Sequence, residues 1–342
     1  MPNWTNIFDL PGPLVDVIKH DLYMEKRAVQ LELYKAKHGL PAETPHFSVS
    51  DLIKPPRMRQ LINRHYNEIV KDVSGDIFRL LGQLFHHLFR DSAMRSNSKG
   101  SNYEAEERLF THTVCDGVTV IISGEPDLVS DGVLDDYKVT GIFGWDKGVK
   151  IEWEQQLNCY AYLRAVNGLE TKKLRAVYIL RDWKRSESVQ EGYPKAAAMT
   201  MEVDLWPELE TLTYVHDRLK THLNARGEAD NRLPECSPAE MWEKPEAWAV
   251  VRSEAKRAAK VYRQDDFPAG TTSDILCAAA QADADIRNAK LKKSELPFNI
   301  EHRPGERIRC QSYCDARSWC TQYHEYRAAA FRGQPTAEAQ SA

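Results

Sequence analysis

Residues 124–139 read GEPDLVSDGVLDDYKV, and the fold turns on how this stretch divides. Asp131-Gly132 is a turn signal between two short runs rich in β-branched residues, so the spacing predicts strands over 127–129 and 133–139. Side chains alternate along an extended strand, which puts Asp136 and Lys138 on one face and Tyr137 on the other. Asp127 and Asp136 then converge from neighbouring strands on one point. Hard carboxylate oxygens suit Mg²⁺ or Mn²⁺, and a lysine beside them can position and polarise water.

Working outward, the strand pattern continues upstream over 118–122 and 108–115, broken by Asp116-Gly117 and Gly124. Before it, residues 76–89 carry Ile77, Leu80, Leu81, Leu84, Phe85 and Leu88 at the spacing of one helix face. Residues 3–88 as a whole read as mostly helical, with a polar, Pro-containing break at 39–46. Downstream, helical spacing returns at 152–166, strands are predicted over 174–180 and 198–205, and a helix over 206–226. Residues 227–298 read as helices joined by Pro-containing loops, without an internal repeat. The resulting expectation is an α+β fold with a central mixed sheet flanked by helices. Its parts are a helical region (1–75), a core (76–226), a helical insertion (227–300) and a cysteine-rich tail (301–342) packing on the core.

Composition narrows the class. The chain has 342 residues, 42% hydrophobic and 28% charged, with 17 Gly and 17 Pro, which excludes a disordered or collagen-like protein. Lys and Arg number 46 against 50 Asp and Glu, a net charge of −4, which excludes a uniformly basic nucleic-acid binder but leaves room for a local basic groove. From Ala249 onward 15 basic residues face 12 acidic ones, so the acidic excess lies in the earlier part. Residues 1–9 lack a positive and apolar leader pattern, and no apolar run reaches the ~18–20 residues of a membrane span, so a reducing, cytoplasmic setting is expected. There, clustered cysteines more often bind metal than form disulfides.

A carboxylate-x-Lys triplet alone is common on surface strands. Here it has ordered company: G-x-x-x-H at Gly82–His86 upstream, and Gln156 and Tyr160 one helical turn apart downstream. This set resembles the PD-(D/E)XK nuclease superfamily, and within it the RecB-type exonuclease domain of recombination, phage and CRISPR-adaptation nucleases. The resemblance spans roughly residues 47–163 and the cysteine tail, about half the chain. It implies a restriction-endonuclease-like core in which His86, Asp127 and Asp136 hold Mg²⁺ or Mn²⁺ and Lys138 is the catalytic lysine. A backbone carbonyl of Tyr137 or Val139 could also face the metal. Gln156 and Tyr160 match the Q-x-x-x-Y motif that contacts DNA or supports the active site. His87 is the alternative to His86, though it points about 100° round the helix.

The tail reads CQSYCDARSWCTQYH, giving Cys310-x3-Cys314-x5-Cys320 and then His324. Relatives of the iron–sulfur subgroup carry three C-terminal cysteines and a fourth upstream, but here Pro55 stands where that cysteine would lie, and the first tail spacing is one residue longer. Three readings stay open: a structural Zn²⁺ on three thiolates and His324, a 4Fe-4S cluster with Cys115, Cys159, Cys236 or Cys277 as the fourth ligand, and no metal. Arg252, Lys256 and Lys260 recur at helical spacing, and Arg307 and Arg309 lead into the cysteines; these are candidate contacts to nucleic acid, with a solvated face as the alternative.

The expected function is metal-dependent hydrolysis of DNA phosphodiesters, as an exonuclease in recombination, repair or phage DNA metabolism. DNA is the expected partner, with recombination or replication proteins beside it and no membrane. The rivals are a structure-specific endonuclease of the same fold and a non-catalytic DNA-binding scaffold.

Overall fold

The computed structural model describes residues 2–19, 24–99, 103–105, 107–146 and 148–332. Residues 333–342 of the expected tail lie outside them. The chain divides into two compact units, residues 1–233 and 234–342, where the sequence suggested four stretches. Both mix helices and strands, so the protein is α+β.

In chain order, the elements that build the first unit's site begin with helix α1 (Met24–His38), strand β1 (His46–Ser48), helix α2 (Ile77–Asn97) and strand β2 (Tyr103–Ala105). Strands β3 (Leu109–Cys115), β4 (Val118–Gly124), β5 (Leu128–Ser130) and β6 (Val133–Thr140) follow. Helix α3 (Ile151–Val166), strands β7 (Lys173–Leu180) and β8 (Ala198–Val203), and helix α4 (Glu208–Arg226) complete the set. A mixed five-stranded sheet has the order β8-β7-β6-β5-β2, with β6 and β7 parallel and the other neighbours antiparallel. The parallel pair requires a crossover, and α3 supplies it. The predicted meander splits here: β3 and β4 form a separate three-stranded sheet with β1, which runs parallel to β4. Residues 125–127 carry the chain from one sheet to the other, which sets Asp127 at the junction.

One core spans both sheets. Leu157 and Leu163 of α3 join Ile122, Leu134, Ala176 and Tyr178 from the strands and Leu219 from α4, all essentially without solvent exposure. Residues 1–75 are not purely helical: besides β1, Asn3–Thr5 pairs in parallel with Val70–Asp72. In β1, Phe47 is buried between partly buried neighbours, the alternation of a half-covered strand.

One buried and one half-buried histidine make stability pH-dependent. His222 of α4 donates Nε2–H to the Leu52 carbonyl (3.0 Å), and burial pushes its pKa down from 6.5 to about 4. Burial holds His46 down to about 4 as well. A base depressed in the folded state charges first in the unfolded chain, so stability is complete above pH 6.5 and falls as pH drops towards 4. The His222 shift corresponds to ~3 kcal/mol. Urea midpoints measured from pH 7.5 to 4.5 should decline, and His222→Gln should flatten the decline.

The second unit corrects the expected helical insertion. Strands β9 (Ala247–Arg252), β10 (Ala258–Arg263) and β11 (Phe298–Arg303) form an antiparallel sheet in the order β10-β9-β11. Helix α5 (Ser273–Asn288) packs Ala280 and Ala284 against Val250 and Tyr262. The runs AWAVVR and AAKVYR are β-branched and aromatic, and Glu254 takes a left-handed φ of 66° in the turn between them. Helix α6 (Thr321–Arg332) follows the cysteines. Among the described residues, no helix is long and apolar enough to cross a membrane.

Candidate active site

Strand alternation in β6 sorts Asp135, Asp136, Tyr137 and Lys138. Asp135 pairs across to Arg175 of β7 through two hydrogen bonds of 2.6 and 2.7 Å, and Tyr137 stacks on Phe89 of α2 with ring centroids 4.0 Å apart. Those contacts anchor one face. Asp136 and Lys138 therefore share the other, where Lys138 Nζ lies 2.5 Å from Asp136 Oδ2.

Asp127 reaches the same place from the junction before β5. Its Oδ2 accepts the Tyr137 amide N–H at 2.8 Å, and its Oδ1 lies 3.1 Å from Nδ1 of His86 on α2. Of the predicted ligand set, His86 and Asp127 are thus in contact and Asp136 lies on the neighbouring strand, but the three do not offer ligand atoms within 4.8 Å of one another. A side chain at Gly82 would meet nothing within 4 Å, so packing does not demand the glycine of the G-x-x-x-H stretch.

Gln156 and Tyr160 lie on one face of α3. Lys138 Nζ donates to Gln156 Oε1 (2.9 Å), and Gln156 Nε2 donates to the Tyr160 hydroxyl (2.9 Å). The pair thereby fixes the lysine. Gly124, at the end of β4, is what lets Tyr160 sit there: a Cβ at this position would come within 2.8 Å of the Tyr160 ring and 2.7 Å of Leu163. Gly124→Ala is expected to cost on the order of 1–3 kcal/mol by overpacking and to weaken the Lys138–Gln156–Tyr160 chain. Thermal melts and crystal structures of the variant would show both.

The electrostatics suit a cation. Asp136 is 1% exposed, and burial pushes its carboxyl up to about 6, against the Lys138 charge that lowers it and with Asp127 adding to the rise. Its Oδ2 pairs with Lys138 by charge but has no well-directed hydrogen-bond donor. A buried oxygen in that condition is costly, and a divalent ion between Asp127 and Asp136 would satisfy it.

No family model and no curated protein matches this chain. Among solved structures, the crystal structure of SSO0001 is similar at 18% identity with a TM-score of 0.38, over 58% of this chain and 86% of that one.

Sequence reasoning missed a second group beside the candidate metal ligands. Arg108 donates to Ser123 Oγ (2.9 Å) and Glu125 Oε2 (2.8 Å), and Arg27 Nε lies 3.6 Å from the same Glu125 oxygen. Ser123 Oγ in turn lies 2.8 Å from His46 Nε2. Glu125 stands within the quoted GEPD stretch, but nothing local marks Arg27 or Arg108 as its partners.

In the second unit the basic candidates are mostly engaged internally, and the predicted helix stripe does not form. Arg252 ends β9 and pairs with Glu295 (3.4 Å), Lys256 lies in the turn, and Lys260 in β10 sits over the Tyr262 ring. Arg307 pairs with Glu243 (3.3 Å), and Arg309 donates to the Glu240 carbonyl (2.6 Å) while lying over Trp242.

These arginine contacts hold the 240–243 segment beside the cysteines. Cys310 sits in a π-helical turn, Arg309–Tyr313. Cys236 lies near enough to Cys310, Cys314 and Cys320 for their fields to act on its thiol, whereas His324 is exposed on α6. Gln322 clamps Cys236, accepting its N–H and donating to its carbonyl, both at 2.9 Å. Burial pushes the Cys236 thiol up to about 12, with Glu240 and the fields of Cys320, Cys310 and Cys314 adding to the rise. A different trio, Cys115, Asp116 and His216, brings ligand atoms within 4.8 Å of one another at the far end of the β3–β4 hairpin, where Lys220 pairs with Asp116.

Proposed function

We propose that residues 1–233 form a metal-dependent DNA phosphodiesterase of the PD-(D/E)XK type, acting as an exonuclease. The observation that carries this reading is the grouping of His86, Asp127, Asp136 and Lys138 around β6, with the Asp136 carboxylate buried against the Lys138 ammonium. His86, Asp127 and Asp136 would hold Mg²⁺ or Mn²⁺. Such an ion lowers the pKa of water and offsets charge on the scissile phosphate. Lys138 orients the attacking water and stabilises charge that develops on the phosphate oxygens. Gln156 and Tyr160 hold the Lys138 ammonium in place, and the stacked Phe89–Tyr137 pair fixes the strand that carries it.

The test is incubation of the full chain with linear single-stranded, linear duplex and circular DNA in Mg²⁺ or Mn²⁺, with EDTA as control. Cleavage of linear DNA only supports the exonuclease. Cleavage of circles assigns an endonuclease, and binding without cleavage assigns the scaffold.

Cys236, Cys310, Cys314 and Cys320 are proposed as the second metal site, in place of the Cys-Cys-Cys-His set. Four soft thiols suit an iron–sulfur cluster or Zn²⁺. Among the described residues, no three of these sulfurs lie within 4.8 Å of one another. One tetrahedral zinc at ~2.3 Å from each sulfur would need them closer than that, so the wider group favours the cluster.

A further inference from the structure

The far end of the β3–β4 hairpin carries a group that the phosphodiesterase reading does not use. The hairpin turns in two residues: Cys115 and Val118 are its last cross-strand pair, and Asp116 and Gly117 take left-handed φ values of 49° and 79°, as a type I′ turn requires. Asp116 therefore follows directly on Cys115, at the place where the hairpin meets α4. Cys115 is fully buried in the core it shares with Leu219 of α4, and its Sγ–H points to the His216 carbonyl of that helix (3.9 Å). The side chains of His216 and Asp116 are half exposed, at 51% and 49%. Among the described residues, Cys115, Asp116 and His216 are the one trio of metal-ligating side chains that offers a sulfur, an oxygen and a nitrogen all within 4.8 Å of one another.

We propose that Cys115, Asp116 and His216 form a site for one Zn²⁺ ion that ties the hairpin to α4. The site is separate from the proposed phosphodiesterase and does not depend on it. A tetrahedral zinc at ~2.3 Å from sulfur and ~2.0 Å from nitrogen and oxygen holds its ligand atoms ~3.5 Å apart, so small side-chain rotations close the trio on an ion. Thiolate and imidazole select zinc over Mg²⁺, which prefers oxygen ligands alone. The carboxylate already faces a cation: Lys220, one turn along α4 from His216, places its ammonium 3.4 Å from Asp116 Oδ2. Asp217 adds a carboxylate beside the imidazole, with Oδ1 3.9 Å from His216 Nδ1. Zinc displaces the ammonium from Asp116, the thiol proton leaves to solvent, and a water from the exposed side completes the four-coordinate shell.

The experiment titrates the full chain, its tail left as isolated, with Zn²⁺ alone in competition with a chromophoric chelator and in excess Mg²⁺. The native protein should bind one equivalent more than Cys115→Ser or His216→Ala. His216 is half exposed, so its variant should fold even where loss of the buried thiol disturbs the core, and thermal melts check both. Asp116→Asn keeps a residue type that accepts the left-handed φ and should weaken zinc by at least the ~10–100-fold that loss of a group behind the ligands costs. Lys220→Ala frees the carboxylate from its exposed ion pair and should tighten zinc by roughly two- to fivefold. With Co²⁺ in place of zinc, the native chain should show a thiolate-to-cobalt charge-transfer band in excess of that of Cys115→Ser. Equal zinc in the native chain, Cys115→Ser and His216→Ala would overturn the site. So would a cobalt spectrum that Cys115→Ser leaves unchanged, or a Lys220→Ala variant that binds zinc no more tightly than the native chain.

Discussion

Asp136→Asn should lower Mg²⁺-dependent cleavage by roughly a thousandfold or more, and Lys138→Met should do the same, while both proteins stay folded. The reasoning starts from the cost of the native carboxylate. Asp136 is buried, faces Asp127, and has a pKa raised from 3.8 to about 6. An acid raised in the folded state gives up its proton first in the unfolded chain, so metal-free stability is complete below pH 3.8 and is lost as pH climbs through about 6. Without metal at pH 7.5, Asp136→Asn should therefore melt higher than the native protein, with the advantage shrinking towards pH 4. Lys138→Met removes the cation that favours the ionised carboxylate, so Asp136 rises further. Activity and stability moving in opposite directions is the mark of a site built for charge it does not itself neutralise. If Asp127→Ala and Asp136→Ala both kept full Mg²⁺-dependent activity, the site assignment would fail.

The parts of this site legible in the sequence are those set by local periodicity. Period-two alternation separates Asp136 and Lys138 from Asp135 and Tyr137, and the structure shows each pair with its own partners on opposite faces of β6. The 3.6-residue repeat likewise puts Gln156 and Tyr160 on one side of α3, where they hydrogen-bond to each other. Long-range closures are different in kind. Arg27, Arg108 and Glu125 come from a helix, the approach to a strand and an intersheet junction, and no local pattern encodes their meeting. In the second unit, cations at Arg252, Lys256 and Lys260 mimic a helical repeat by chance. Val250 and Tyr262 on one face of the sheet decide the conformation, since burying them against α5 outweighs any preference of exposed charges.

Cys236→Ser should remove the metal proposed for the tail as completely as Cys310→Ser does, and His324→Ala should leave it in place. The sequence distance from Cys236 to Cys310 hides this link, and Gln322 supplies it. By clamping both the N–H and the carbonyl of Cys236, a side chain two residues past Cys320 fixes the fourth thiol beside the other three. Burial raises the free thiols of Cys236 to about 12 and Cys314 to about 11, so these thiols are protonated at neutral pH, and metal binding must displace their protons and tighten as pH rises. Anaerobically purified protein is expected to be brown, with broad visible absorption and bound iron, and Cys236→Ser is expected to be colourless. Its second unit should also unfold earlier, because metal affinity at a site the unfolded chain lacks is folding free energy. A colourless native protein holding stoichiometric zinc that Cys236→Ser loses would assign the same four thiols to zinc. Zinc lost in His324→Ala but kept in Cys236→Ser would restore the Cys-Cys-Cys-His set. Gln322→Ala keeps all four ligands and breaks only the clamp, so faster metal loss to a chelator in that variant would show that the clamp pre-organises the site.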